Sequence, residues 1–129
     1  MTLQKYLDSK YTKAEQLALR ELDCSYYNIT SLEGTENLGC LTSLICGNNR
    51  ITSLRGIEHL INLEYLDCSN NKLTSLRGIE KLPKLLRLGC IRNNLPYKSL
   101  SYEDIINDIL KEIKIENRKN TISNLLNNV

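Results

Sequence analysis

Residues 63–84 read LEYLDCSNNKLTSLRGIEKLPK, and this stretch decides the fold. Its first six residues follow L-x-x-L-x-C. Leu66 and Cys68 then fall on one side of an extended chain, with Tyr65 and Asp67 on the other. That alternation predicts a short strand. Asn71 follows at a turn, where a side-chain amide can bond neighbouring backbone groups through both its carbonyl and its NH2. Gly78 marks a second tight turn, and the segment between is Leu- and Ile-spaced rather than strand-like.

The same wording recurs along the chain. Four units begin at Leu19, Leu41, Leu63 and Leu85, each 22 residues beyond the last. Position four is Leu22, Leu44, Leu66 and Leu88; position six is Cys24, Cys46, Cys68 and Cys90. Position eleven is Ile29, Ile51, Leu73 and Leu95, and position fourteen is Leu32, Leu54 and Leu76. Gly34, Gly56 and Gly78 share position sixteen. One such coil cannot bury its apolar face alone. Stacked coils place Leu on Leu and build a parallel sheet with strands about 4.8 Å apart. Stacked Asn49, Asn71 and Asn93 then satisfy polar groups of the turns that burial would leave unpaired.

Residues 19–95 resemble leucine-rich repeats, L-x-x-L-x-L-x-x-N-x-L. The 22-residue period and the segment I-T-S-L-R-G-I-E-x-L are similar to the short class found in a regulatory subunit of type-one protein phosphatase and in internalins. The resemblance implies an α/β fold: a right-handed solenoid with a short parallel concave sheet that usually binds proteins, and helical N- and C-terminal caps. Two repeats depart from the pattern. In the first, Tyr27 holds the turn position and Asn28 is displaced by one, so the Asn ladder starts at Asn49. In the fourth, Pro96 follows Leu95, Leu100 stands at position sixteen, and the glycine is absent.

Solenoid ends expose apolar coil edges and need covers. Residues 1–18 read as a helical cap of two short helices, with Leu3, Tyr6, Leu7, Tyr11, Ala14 and Leu17 as its apolar stripe and a capping box at Thr12 and Glu15. Residues 96–129 read as the opposite cap. Ser101 is an N-cap for a helix carrying Ile105, Ile106, Ile109, Leu110 and Ile113, and a further helix is expected to carry Ile122, Leu125 and Leu126. The whole chain is one domain.

Composition narrows the function. Seventeen Lys and Arg against fifteen Asp and Glu give a formal net charge of +2, and the basic residues are spread along the chain. This points to neither a nucleic-acid partner nor an acidic membrane surface. Charges interrupt every apolar run near the N-terminus, so no secretory signal is expected, and no run approaches the roughly 20 apolar residues of a membrane span. A cytoplasmic location is the expectation, with five free thiols rather than a disulfide framework. The Ile-, Asn- and Lys-rich wording resembles leucine-rich proteins of low-GC genomes, including giant viruses and intracellular bacteria; in that case the partner belongs to a host, and the host cytoplasm is the location.

No enzymatic chemistry is expected. The four column cysteines span about 14 Å at strand spacing, too far for one tetrahedral zinc, and read as small buried hydrophobes; no metal and no cofactor are expected. Cys40 lies outside the column. His59 stands by itself on the convex side. Asp23 and Asp67 are two strands apart on a shallow face. Arg55 and Arg77, with Glu58 and Glu80, are expected to pair locally on the convex side. The concave face is the candidate binding surface: Tyr26, Ile45, Tyr65, Asp67, Arg87, Ile91 and Arg92 project large or charged groups from columns otherwise filled by Ser, Gly and Asn. These residues point to a protein-binding adaptor. A self-assembling homodimer is the alternative, and a thiol- or metal-dependent sensor a more distant one.

Overall fold

A computed structural model describes residues 1–97 and 101–128. Four three-residue strands, β1 (Glu21–Asp23), β2 (Ser43–Ile45), β3 (Tyr65–Asp67) and β4 (Arg87–Gly89), form one parallel sheet in the order β1-β2-β3-β4. The register runs Leu22 to Leu44, Leu44 to Leu66 and Leu66 to Leu88, so the repeat columns become ladders across the sheet. Leu44, Leu66, Ile51, Leu54, Leu60 and Leu63 are fully buried between the coils. The fold is a right-handed solenoid with helical caps.

The Asn ladder carries the inner turns. Asn71 Nδ2 donates to the carbonyls of Cys46, Cys68 and Ser69 at 3.1, 3.1 and 3.2 Å, and its Oδ1 accepts from Ile51 N–H at 2.9 Å. Asn49 repeats this pattern and also accepts from Tyr27 N–H at 3.1 Å, so the ladder begins at Asn49 as expected. The first three strands each return through a short 3-10 turn, at Thr35–Asn37, Ile57–His59 and Ile79–Lys81. Gly56 enters its turn at φ +101°, and a Cβ there would stand 2.9 Å from Thr35 Oγ1, which excludes other residues twice over.

The expected local pairing of Arg55 and Arg77 with Glu58 and Glu80 does not form. Glu58 Oε2 instead accepts from Gly56 N–H at 2.9 Å and Glu80 Oε2 from Gly78 N–H at 2.7 Å. A carboxylate two residues into the turn satisfies an N–H that the helical bonds leave free. Arg77 pairs with Glu116 at 2.6 Å, and burial of the guanidinium is outweighed by that bond, which raises its already high pKa.

At the N-terminus, α1 (Leu3–Lys10) and α2 (Lys13–Ala18) form the two expected helices, with the capping box at Thr12 and Glu15 in place. Leu3, Tyr6 and Leu7 join the core. The stripe differs in α2: Ala14 and Leu17 face water, and Gln16 is buried. Gln16 Nε2 donates to Asp8 Oδ1 at 2.9 Å and to the Tyr11 carbonyl at 3.2 Å, so the amide ties α2 to α1 across the break between them. The Gln16 bond to Asp8, with one from Gln4, holds the Asp8 carboxyl below its usual range.

The C-terminal segment is one helix, α3 (Tyr102–Asn127), rather than two. It contains no Gly or Pro to interrupt it. Ser101 Oγ accepts from Asp104 N–H at 3.2 Å and starts it. Ile105 and Ile109 are buried against the solenoid and Ile106 and Ile113 partly so, whereas Leu110, Ile122, Leu125 and Leu126 are exposed. Leu100, placed at position sixteen of the fourth repeat, lies outside the described residues. Among the described residues, no helix is long and apolar enough to cross a membrane.

Candidate functional site on the concave sheet

Because inward and outward residues alternate along each strand, the sheet's outer face is a grid. One column is Glu21, Ser43, Tyr65 and Arg87, in direct register. The Arg87 guanidinium lies 5.0 Å from the Tyr65 ring centroid, a cation–π contact that fixes both side chains over β3 and β4. They line a groove of about 360 Å³ together with Glu21, Thr42, Ser43, Glu64 and Leu86. Leu86, 73% exposed, was missed by the sequence reading. Its signal is visible there: position two is Arg20, Thr42 and Glu64 in the other repeats, and apolar only in the fourth.

The remaining candidates are dispersed. Ile45 is half-buried at the centre of the face. Ile91 and Arg92 are exposed where the chain leaves β4. Tyr26, 77% exposed, sits three strand steps from Arg92, roughly 14 Å away. Tyr26, Asn48, Asn70 and Arg92 adopt φ of 64°, 55°, 56° and 56°. This column is therefore a left-handed turn, favourable for Asn and strained for Tyr and Arg. Asp67 also caps its own turn. Its Oδ1 accepts from Ser69 N–H at 3.0 Å, and the same oxygen would stand 3.0 Å from a Cβ at Gly89. Asp23 likewise accepts from Ser25 N–H at 3.0 Å. These aspartates close the strand ends, and neither carboxylate is a free, paired acid.

Behind the sheet, the thiol column is dry. Cys24, Cys46, Cys68 and Cys90 are buried, and Cys40 is exposed. Burial, with a smaller contribution from Asp23, pushes the Cys24 thiol up to about 12. Burial also raises Cys46 well above the ordinary thiol range, helped by its neighbours Cys68 and Cys24, and raises Cys68 and Cys90. Such thiols stay protonated and unreactive. Among the described residues, no group of three or more His, Cys, Asp or Glu is arranged to hold a metal ion. His59 Nδ1 lies 3.0 Å from the Gly56 carbonyl and 3.3 Å from Thr35 Oγ1, at the rim of a second groove between the first two coils.

The family model "Leucine Rich repeats (2 copies)" matches residues 18–59 and 61–107. No curated protein matches the chain. Among solved structures, an internalin from Listeria monocytogenes is similar at 24% identity and a TM-score of 0.63, over 71% of this chain and 28% of that one. A leucine-rich-repeat protein from Leptospira interrogans is similar at 32% identity and a TM-score of 0.55, over 74% of this chain and 26% of that one. The chain thus spans about a quarter of the length of these two proteins.

Proposed function

The chain belongs to the leucine-rich-repeat family, and from that premise we propose that it is a non-catalytic module that binds a protein partner through its concave face. Repeats of this family commonly serve as protein-interaction modules. The observation that carries the reading is the Tyr65–Arg87 pair: a half-buried ring and an exposed guanidinium, stacked at 5.0 Å on the sheet beside Leu86. Tyr and Arg concentrate binding energy, and a pre-stacked pair loses little rotamer freedom on association. Tyr26, Ile45, Ile91 and Arg92 extend the contact area around this centre. Asp67 orients the β3 turn beneath it. The free thiols support action in a reducing compartment such as a cytoplasm, a host's if the protein is an effector.

The test is affinity capture from a cytosolic extract, followed by titration of the captured partner. Tyr65→Ala combined with Arg87→Ala leaves the melting temperature nearly unchanged, because neither residue touches the leucine stack. It weakens binding at least about tenfold, or roughly 1.4 kcal/mol. Arg55→Ala, on the convex side, leaves binding unchanged. Loss of binding in the convex variant and not in the concave one would place the function on the wrong side of the molecule.

A further inference from the structure

Helix α3 has two different faces. At about 100° per residue, Ile105, Ile109 and Ile113 share the side that docks on the solenoid, and Glu116 turns towards the same side to meet Arg77. Ile115, Ile122, Leu125 and Leu126 lie on another side, centred roughly 140° away. They are 54%, 58%, 65% and 70% exposed.

The same outward sector holds Lys111, Lys114, Arg118 and Lys119, all exposed. From residue 110 onward this sector, about 140° wide, contains only those cations and the four aliphatics. Asn117, Asn120, Ser123, Asn124 and Asn127 all fall outside it, as do Glu112 and Glu116. The four cations have no carboxylate partner; the ion pair found among the described residues is Arg77–Glu116. Chain-average charge conceals this segregation, because Glu112 and Glu116 lie towards the docking side, and Asp104 and Asp108, which share the outward sector, stand in the proximal part of the helix.

The part of α3 beyond Glu116 also lacks tertiary support, since every described residue there is exposed. A helical segment of about twelve residues is marginal by itself in water, and Asn and β-branched residues weaken it further. We propose that this outward face of α3 lies on an anionic lipid surface, with Ile115, Ile122, Leu125 and Leu126 entering the acyl boundary and the cations meeting headgroup phosphates and carboxylates. This site is separate from the concave sheet and does not depend on the protein-binding reading.

Charge decides between occupants. A second copy pairing along this face brings Arg118 and Lys119 of each helix together, like against like. An apolar protein groove would desolvate Lys111 and Arg118, which sit mid-sector rather than at its edges. A headgroup layer is anionic and lets long cationic side chains reach water while the aliphatics sink. Association of this kind is peripheral.

The experiment is co-sedimentation of the full chain with phosphatidylcholine vesicles, with and without phosphatidylserine. Binding occurs to the anionic vesicles only and falls as salt rises. Arg118→Glu with Lys119→Glu, and separately Leu125→Ser with Leu126→Ser, each weaken it at least about tenfold. Both pairs are exposed, so circular dichroism and melting of the solenoid stay unchanged and separate lost binding from lost folding. Equal binding to neutral vesicles, or none to anionic ones, overturns the proposal. So does a dimer by light scattering that the Leu125/Leu126 variant dissolves while vesicles are ignored, or a captured protein whose binding, and not vesicle binding, those variants abolish.

Discussion

The two ends of the solenoid are covered by different means. At the N-terminus the cap is stitched by backbone: Leu3 N–H donates to the Ser31 carbonyl at 3.0 Å, Gln4 N–H to Glu33 at 2.6 Å, and Thr30 N–H to Met1 at 2.9 Å. The Tyr6 hydroxyl donates to the Asp23 carbonyl at 3.2 Å and so closes the outer edge of β1. Lys10 Nζ donates to Tyr27 Oη at 2.6 Å and lies 5.0 Å from the Tyr6 ring centroid, fastening α1 to the first turn. At the C-terminus α3 offers side chains, with its backbone bonds already spent within the helix. Leu22 on β1 is 2% exposed, whereas its counterpart Leu88 on β4 is only partly buried. A helix laid across a coil seals the apolar interior but leaves the strand edge open.

The largest effect that can break this comparison is a deletion. Removing residues 101–129 uncovers the fourth coil, and we expect aggregation. Ending the chain after Glu116 should instead leave solubility and melting nearly intact, since Ile105, Ile109 and the Arg77 pair remain, and the exposed pair itself contributes only about 0–1 kcal/mol. Sedimentation and thermal melting of both variants distinguish the two halves of α3. If both aggregate, the distal half is part of the cap.

What the sequence disclosed and what it hid have separate physical origins. The Leu, Cys and Asn columns were legible because stacking imposes one environment on each position, and that environment repeats every 22 residues. The ends repeat nothing. In α3 the apolar stripe changes sides between Ile113 and Ile115, and periodicity alone reads a change of face as a change of helix. Gln16 was missed because its burial depends on Asp8 and Tyr11 across a helix break. On the concave face, outward direction was legible from alternation. Direction does not reveal what a side chain is bonded to, so the bond by which Asp67 caps its own turn was invisible in the alternation. The stacking of Arg87 on Tyr65 is visible only as a shared column.

A smaller effect sharpens the contrast in burial. Leu66 lies between two coils and is fully buried, so Leu66→Ala costs about 2–5 kcal/mol in lost transfer energy and cavity. Leu88→Ala removes the same atoms from a site that water already reaches, and costs about half as much or less. Denaturant melts of the two variants measure the difference. Equal losses would mean that β4 is as well sealed as β3, and the asymmetry of the ends would fail.

The smallest effect is chemical and leaves the fold untouched. Thiolate is the nucleophile that attacks a thiol reagent, so labelling needs both access and ionisation. Cys40 is exposed and reacts first. Cys46 is fully buried between Cys24 and Cys68, with its thiol pushed far up by burial, and should be the slowest. The informative pair is Cys24 and Cys90, equivalent positions in the outer coils. Cys24 is 0% exposed behind the stitched cap, its thiol pushed up to about 12 by burial; Cys90, also raised by burial, is 3% exposed at the less sealed end of the sheet. Cys90 should therefore label faster than Cys24 in the native protein, and raising the pH should speed both by increasing the thiolate fraction. Mass spectrometry of timed aliquots resolves the order. Cys24 ahead of Cys90 would mean that the N-terminal cap opens more readily than α3, which its backbone bonds argue against.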